Sequence, residues 1–360
     1  MLTVDGIIFT LQRAGGISVI FRSLLDYLNQ QGILTTHLLD GQSLQELAQH
    51  SGSVKTEIRL ARTLERYRSC RIADLGATGS LHRSPLYHSS YYRTPTDNKV
   101  TSVLSVYDFM YERHRKGPAK WVHTFQKNAA IKRAQSIICI SQSTLDDLVE
   151  FVGVRSDQSV KVIHCGVSEC FKPLKLDHQE FLNDPPTTVD RPFILFVGQR
   201  AGYKNFKLAL TTLAELTDFE LRCVGGGNFS PSEFEGVPDH VVSRVKHMGF
   251  TTDDELNLLY NQAVCLFYPS SYEGFGIPVI EAMRAGCPVV STNCKAIVEI
   301  GADALQMVPE HDPSALARAV LRTASSDREA IVQRGIWNAQ LYSWDITNQK
   351  TLQLYKELGL

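Results

Sequence analysis

The chain has 360 residues, 43% hydrophobic and 21% charged, with 24 Gly and 14 Pro. That is the make-up of a globular protein long enough for two domains, and it excludes collagen-like, disordered and disulfide-scaffold classes. The net charge of −1 conceals a segregation: residues 55–133 hold 16 Lys and Arg against 6 Asp and Glu, while the remainder hold 21 against 32. Nucleic acid is disfavoured as the anionic partner, because zinc-finger spacing, a basic zipper and an RNA-binding aromatic signature are all missing. A membrane surface or a lipid-phosphate acceptor suits the basic segment, as does a merely solvated face. No run reaches the roughly 18–20 apolar residues of a membrane-spanning helix. The opening MLTVDGIIFT has neither a basic leader nor a cleavage site, so a cytosolic location is expected. Eight Cys sit mostly in apolar runs such as SIICIS and AVCLFY, where reduced thiols act as small core residues.

From the amino terminus, short runs of Val, Ile, Phe and Cys alternate with amphipathic stretches, the pattern of βα units feeding parallel sheets. Strands are predicted at 2–9, 33–39, 100–107, 136–141 and 160–167, and helices at 17–30, 118–134 and 143–152. NDPPTTVDRP (183–192), with adjacent prolines and no periodicity, reads as a linker. A second series has strands at 193–198, 219–227, 245–250, 263–270 and 287–292, with helices at 205–216, 253–262 and 277–285. The fold class is α/β, with two parallel-sheet domains at 1–182 and 193–344. Ligands of open α/β sheets bind at the carboxyl ends of the strands, which puts the chemistry in the strand-to-helix loops.

Those loops carry unusual residues. Gly15-Gly16 lies between the first strand and its helix, where bare backbone can approach phosphate. A plain tight turn is the alternative, and without G-x-G-x-x-G a dinucleotide site is disfavoured. VLSVYDFMYERH (103–114) ends a strand in Tyr107-Asp108, with His114 and His123 on the basic helical stretch that follows. FVGQRAGYKNFKLAL (196–210) places Arg200 and Lys204 in one loop, a guanidinium fork and a compact ammonium suited to a diphosphate that no metal neutralises. VKHMGFTTDDELNLLY (245–260) runs from strand through Phe250 to a helix capped by Thr252 and Glu255.

In YPSSYEGFGIPVIEAMRAGCPVVST (268–292), Gly274 and Gly276 open the start of a helix and leave its N–H groups bare. Glu273 precedes that helix and Glu281 lies inside it, so the two carboxylates reach different parts of one ligand and accept from vicinal diols. His164-Cys165 with Cys170 lacks a second cluster to complete four ligands, and Asp253-Asp254 suits a helix first turn, so no metal is expected.

The string Glu273-Gly274-Phe275-Gly276-Ile277-Pro278, continued by Glu281-Ala282-Met283, Gly286 and Pro288-Val289-Val290, resembles E-G-F-G-x-P-x-x-E-A-M-x-x-G-x-P-V-V. That is the signature of the family-4 retaining glycosyltransferases of the GT-B fold. Arg200 and Lys204 are similar to the same family's G-R-x-x-x-K-N element, Gln12–Ser18 resembles the Q-x-x-G-G-I-S loop of its bacterial polysaccharide members, and Ser343-Trp344-Asp345 resembles its closing segment. The resemblance implies two Rossmann-like domains facing across a cleft, the first on the acceptor side, the second binding a nucleotide sugar, and a last helix (345–360) returning to the first.

The implied reaction moves a hexosyl unit from a nucleotide sugar to a saccharide hydroxyl with retention and without metal or other cofactor. Arg200 and Lys204 would stabilise the leaving diphosphate, Glu273 would orient the donor sugar and Glu281 the ribose. Gly15, Gly16, Gly274, Phe275, Gly276 and Ile277 would line the donor, and Gly225 and Phe250 the base. Tyr107, beside Asp108, stands where many relatives carry His, so an imidazolium is impossible there. The 12–18 loop points to GDP-mannose and a lipid-linked, O-antigen-type acceptor, with peripheral attachment to the inner face of the plasma membrane. A sugar-nucleotide epimerase of the same fold and a non-catalytic carbohydrate-binding relative are the alternatives.

Overall fold

A computed structural model divides the chain into two units, Met1–Gly166 with Trp344–Leu360, and Val167–Ser343. It describes residues 2–11, 15–33, 35–40, 55–59, 85–95, 99–175, 191–200, 202–309, 311–325 and 327–360. Most of the predicted linker (183–190), Cys70 and much of the basic segment lie outside the described residues, as do 12–14 of the 12–18 loop.

The first unit is built on β1 (Leu2–Asp5), β2 (Thr35–Asp40), β3 (Lys55–Arg59), β4 (Leu86–Ser89), β5 (Thr101–Val106), β6 (Ser136–Cys139) and β7 (Ser159–Val162). These strands form one parallel sheet in the order β3-β2-β1-β4-β5-β6-β7. The winding reverses between β1 and β4, which creates a topological switch point at their carboxyl ends. Strand 2–9 of the sequence reading is shorter than expected. Asp5 Oδ1 accepts the Ile7 amide at 3.0 Å, and Ile7–Leu11 turns helical, which ends β1 at Asp5. The helix Gly16–Gln30 buries Phe21, Leu24, Leu25 and Leu28 at helical spacing against the sheet. The last helix, Trp344–Glu357, lies with this unit: Asn348 Nδ2 donates to Ser23 Oγ at 2.9 Å, Thr347 Oγ1 donates to the His164 carbonyl at 2.8 Å, and the Tyr355 hydroxyl meets His88 Nδ1.

The second unit holds β8 (Phe193–Val197), β9 (Glu220–Val224), β10 (Val245–His247), β11 (Cys265–Tyr268), β12 (Val289–Thr292) and β13 (Gln306–Val308). All are parallel, in the order β10-β9-β8-β11-β12-β13, so the switch point falls between β8 and β11. Its core joins Ile194, Phe196, Leu221 and Phe267 on the strands to Leu210, Leu213, Leu316 and Val320 on flanking helices. Residues 171–174 are fixed to this unit, since the Lys172 and Leu174 amides donate to Asn257 and Asn261 side chains at 3.0 and 2.7 Å.

The seven cysteines among the described residues are unbridged; burial pushes the Cys165 and Cys223 thiols up to about 12, as fits inert core positions. No helix among the described residues is long and apolar enough to cross a membrane.

Candidate active site

The loops after β8 and β11 meet at the switch point of the second sheet and are stitched together by backbone. Asn205 Nδ2 donates to the Pro269 carbonyl at 2.8 Å, and the Ser271 amide donates to the Tyr203 carbonyl at 2.8 Å. Between them a single turn, Gly202–Lys204, aims Lys204 back under the loop, where it is only 8% exposed. Its ammonium donates to the Tyr268 hydroxyl at 2.8 Å and pairs with Glu273 Oε1 at 2.6 Å. Burial, and next the neighbouring Glu273, push the Tyr268 phenol well above its usual range, so the hydroxyl stays protonated. A nearly buried ammonium held by one carboxylate and one phenol is a cation that an incoming anion can take over.

Arg200 shares the β8 loop, yet its guanidinium faces a different set of partners. Nε pairs with Glu233 Oε1 at 2.6 Å, Nη1 donates to the Gly225 carbonyl at 2.9 Å, and Nη2 donates to the Gly227 carbonyl at 2.8 Å. Gly225, Gly226 and Gly227 follow one another with φ of 83, 76 and 69°, a left-handed run that turns their carbonyls to the guanidinium. A Cβ on Gly226 would come within 2.6 Å of Nη1. Burial works against an ionised Glu233, but Arg200 and the Ser230 amide hold its carboxyl below the usual range. Arg200 therefore organises the glycine turn and lines, with Gln199, Asn228 and Ser230, a recess of about 500 Å³. Sequence reading assigned it to a free diphosphate clamp and did not foresee these partners. Phe250 stands 87% exposed beyond Gly249, a ring face open for stacking rather than a buried wall.

On the β11 side the helix Ile277–Arg284 starts at Gly276, whose φ of 118° and whose closeness to Ile297 (2.4 Å from a Cβ to Cδ1) exclude a side chain. No side chain caps this helix, which leaves its first turn available to a ligand. Phe275 is buried, its ring against Tyr342 at 5.9 Å, so only its backbone can serve a donor. Glu281 accepts from the Tyr260 hydroxyl at 3.0 Å, and burial raises its pKa to about 7.

At the switch point of the first sheet, the loops after β1, β4 and β5 enclose a recess of about 230 Å³. Tyr107 and Asp108 line it as the sequence suggests, but the Tyr107 hydroxyl donates to the Ser90 carbonyl at 3.1 Å and is not free to point at a ligand. Three further ring walls, Tyr91, Tyr92 and Tyr111, carry no signal in the local sequence; His123 completes the ring. His123 stacks on Tyr111, centroids 3.9 Å apart and planes at 14°, and its Nε2 lies 3.3 Å from the Tyr91 hydroxyl. Of the two histidines on the basic stretch after Tyr107, His123 lines this recess and His114 does not. The β4 loop is locked by a buried ion pair of Arg93 with Asp5, to which Tyr87 adds a hydrogen bond to Asp5 Oδ2 at 2.6 Å. Gly15 caps the helix Gly16–Gln30 with its carbonyl accepting from Ser18 Oγ at 2.8 Å, and the helix start carries no side-chain cap.

Residues 191–326 match the family described as Glycosyl transferases group 1. The O-antigen chain mannosyltransferase B of Escherichia coli is 35% identical over 116 residues, 32% of this chain and 30% of that protein. The serotype-specific mannosyltransferase WbdA of Escherichia coli is 27% identical over 293 residues, 75% of this chain and 36% of that protein. The chain thus spans about a third of the length of these two relatives. Among solved structures, a sucrose-phosphate synthase from Thermosynechococcus elongatus superposes with a TM-score of 0.79 at 21% identity, over 99% of this chain and 98% of that one. The match over 191–326 falls within the second unit, and the chain's fold is that of the GT-B glycosyltransferase structures.

Proposed function

We propose that the chain transfers a hexosyl unit from a nucleotide sugar to a saccharide hydroxyl, and that Lys204 receives the charge released on the leaving diphosphate. The observation that carries this reading is the nearly buried Lys204 with Tyr268 and Glu273 at the second switch point. As the anomeric bond lengthens, negative charge grows on the diphosphate oxygen. A preorganised donor aimed at that charge supplies about 3–4 kcal/mol of barrier lowering. When the diphosphate takes Lys204, Glu273 is released to accept from the donor sugar's hydroxyls. The bare first turn at Ile277, in the same unit as Lys204, adds oriented N–H groups. Glu281 takes the ribose diol, and Gly225 with the exposed Phe250 ring takes the base. Because an ammonium fills the charge-neutralising role, no metal is required.

Mannose from a guanosine diphosphate donor is the favoured unit, and a lipid-linked, O-antigen-type glycan the favoured acceptor; two relatives named as mannosyltransferases, one of them of the O-antigen chain, support this. The anomeric configuration is kept, with front-face attack and no need for the acid and nucleophile pair of glycosidases. The ringed recess around Tyr111 and His123 suits the acceptor sugar, whose C–H faces pack on aromatic rings while Asp108 binds a hydroxyl.

A panel of nucleotide sugars, with and without a saccharide acceptor, tests the reading. Acceptor-dependent nucleotide release and a lengthened saccharide are expected. Recovery of a free epimerised nucleotide sugar, or no turnover with any donor, overturns it.

A further inference from the structure

The helix Pro118–Arg133 buries Ala130 and Ile131 in the core of the first unit, yet carries its largest apolar side chains outward. Beside them on the inner face lie Gln126 and Lys127, both buried, with the Lys127 ammonium paired to Glu112 at 2.6 Å and lying 3.9 Å from the centre of the Phe109 ring. Its outer face shows Trp121 at 75% exposure, Phe125 at 67% and Val122 at 46%. At about 100° per residue, Pro118, Trp121, Val122, Phe125, Ala129, Lys132 and Arg133 fall within an arc of about 120°. The strip is apolar in its middle and basic at its ends, with Arg115 and Lys116 just before the first turn and Lys132 and Arg133 in the last. Residues 110–133 carry seven Lys and Arg but a single carboxylate, Glu112, which Lys127 already neutralises.

We propose that this face docks on an anionic lipid bilayer, Trp121, Val122 and Phe125 entering the headgroup region while Arg115, Lys116, Lys132 and Arg133 bind its phosphates. Charge complementarity selects this occupant. A helix lying in the membrane plane wants an apolar strip with a large indole and cations of one sign beside it, and both are present here. His123, two residues from Trp121 and about 200° around the helix, lines the ringed recess of the same unit. Docking therefore sets that recess beside the headgroup plane, where a lipid-linked saccharide presents its sugar; this last step rests on the glycosyl-transfer reading.

The test is sedimentation of the full chain with phosphatidylcholine vesicles, with and without phosphatidylglycerol, at low and high salt. The wild type is expected to pellet with the anionic vesicles at low salt and to be released by salt. Trp121→Ser/Phe125→Ser should lower the bound fraction roughly tenfold with an unchanged melting temperature, since these side chains pack on little of the protein. Lys132→Glu/Arg133→Glu should abolish the preference for anionic over neutral vesicles. Brominated lipid should quench part of the wild-type tryptophan emission, and Trp121→Phe should lose that part while Trp337 and Trp344 remain.

A wild type that stays in the supernatant at low salt, or a serine variant that pellets like wild type, overturns the proposal. So does a wild-type dimer that these serines dissolve while vesicles are ignored, because the face then belongs to a second copy. Donor cleavage in vesicle-free buffer reads the other proposal separately: its absence with vesicle binding intact sinks the transfer reading alone, and the converse sinks the docking face alone.

Discussion

The two switch points of this molecule arise from the same topology and hold opposite chemistry. Both sheets place their first strand between the second and the fourth, so each opens a crevice at the carboxyl ends of two strands wound in opposite senses. In the second unit that place is filled by charge: Lys204 against Glu273, Arg200 against Glu233, and an uncapped helix. In the first it is filled by rings, Tyr91, Tyr92, Tyr111 and His123, over a locked Asp5–Arg93 pair. Topology fixes where a ligand sits, and the loop residues decide whether the place suits a phosphate or the apolar face of a sugar. If this contrast is right, substitutions in the charged crevice act on the breaking of the donor bond, whereas substitutions in the ringed one act on acceptor use.

The largest effect belongs to Lys204. Lys204→Ala should lower kcat by about 10²–10³ with a small change in donor affinity, the loss expected of one preorganised donor to a developing oxyanion. Removing the cation leaves the Glu273 side chain, itself only 11% exposed, without its partner, so a lower melting temperature is expected and turnover is read on variant protein shown to be folded. Near-wild-type turnover would remove the diphosphate role from this residue. Wild-type turnover should also survive treatment with a chelator; a requirement for added divalent ion would show that Lys204 does not suffice as the counter-charge.

Next comes Gly226→Ala. The new Cβ would lie 2.6 Å from Arg200 Nη1 in a backbone of φ 76°, so either the guanidinium or the turn must move. About 1–3 kcal/mol of stability should be lost from the strain alone, read as a lower melting temperature, together with weaker nucleotide binding by calorimetry. Arg200→Ala should resemble it, since both dissolve the same turn. If Arg200→Ala binds nucleotide normally but fails to turn over, the arginine acts on the leaving group directly and not through the glycine carbonyls.

The contrast between the crevices also explains what could be read in the residues beforehand. Glu273-Gly274-Phe275-Gly276 and the Arg200-to-Lys204 spacing are local strings whose chemistry needs neighbours in sequence, and the strand runs beside them are purely apolar. The ringed recess draws on three loops far apart in the chain. Its strand β4 reads LYHS, with His88 and Ser89 fully buried, so polar residues hide the apolar pattern that marks a two-sided sheet. Burial there is made tolerable by contacts no local rule contains: His88 with Tyr355, 267 residues away, and Ser105. Burial also pushes the His88 imidazole down to about 3, which keeps it a neutral packing group. The partners of Arg200 escaped for the same reason, because the three glycines that accept from it lie in the loop after the neighbouring strand.

In the ringed crevice, His123→Ala should raise the KM for the saccharide acceptor by roughly tenfold, as expected for the loss of a stacked ring and one hydrogen-bonding nitrogen. Donor cleavage to water should be unaffected. His123→Phe keeps the stack on Tyr111 and should recover part of that affinity. An equal fall in donor cleavage and in transfer would place His123 on the donor instead and erase the distinction between the two crevices.

The smallest effect is the most specific in pH. Glu281 has its pKa raised to about 7 from an ordinary 4.5, chiefly by burial. The folded chain therefore holds a proton there that the unfolded chain has lost between pH 4.5 and 7, so this group lowers stability as pH climbs through that window and adds no further slope above it. Ribose binding runs the other way. A diol donates to a carboxylate, so nucleotide affinity should weaken by a few-fold as pH falls below about 7 and Glu281 takes up its proton. Glu281→Gln keeps an oxygen for the Tyr260 hydroxyl while removing the charge. It should flatten both profiles, leaving the variant more stable than wild type at pH 8 and its nucleotide affinity indifferent to pH. A variant whose affinity still falls below pH 7 would move the titrating group elsewhere and leave Glu281 with a packing role beside Tyr260.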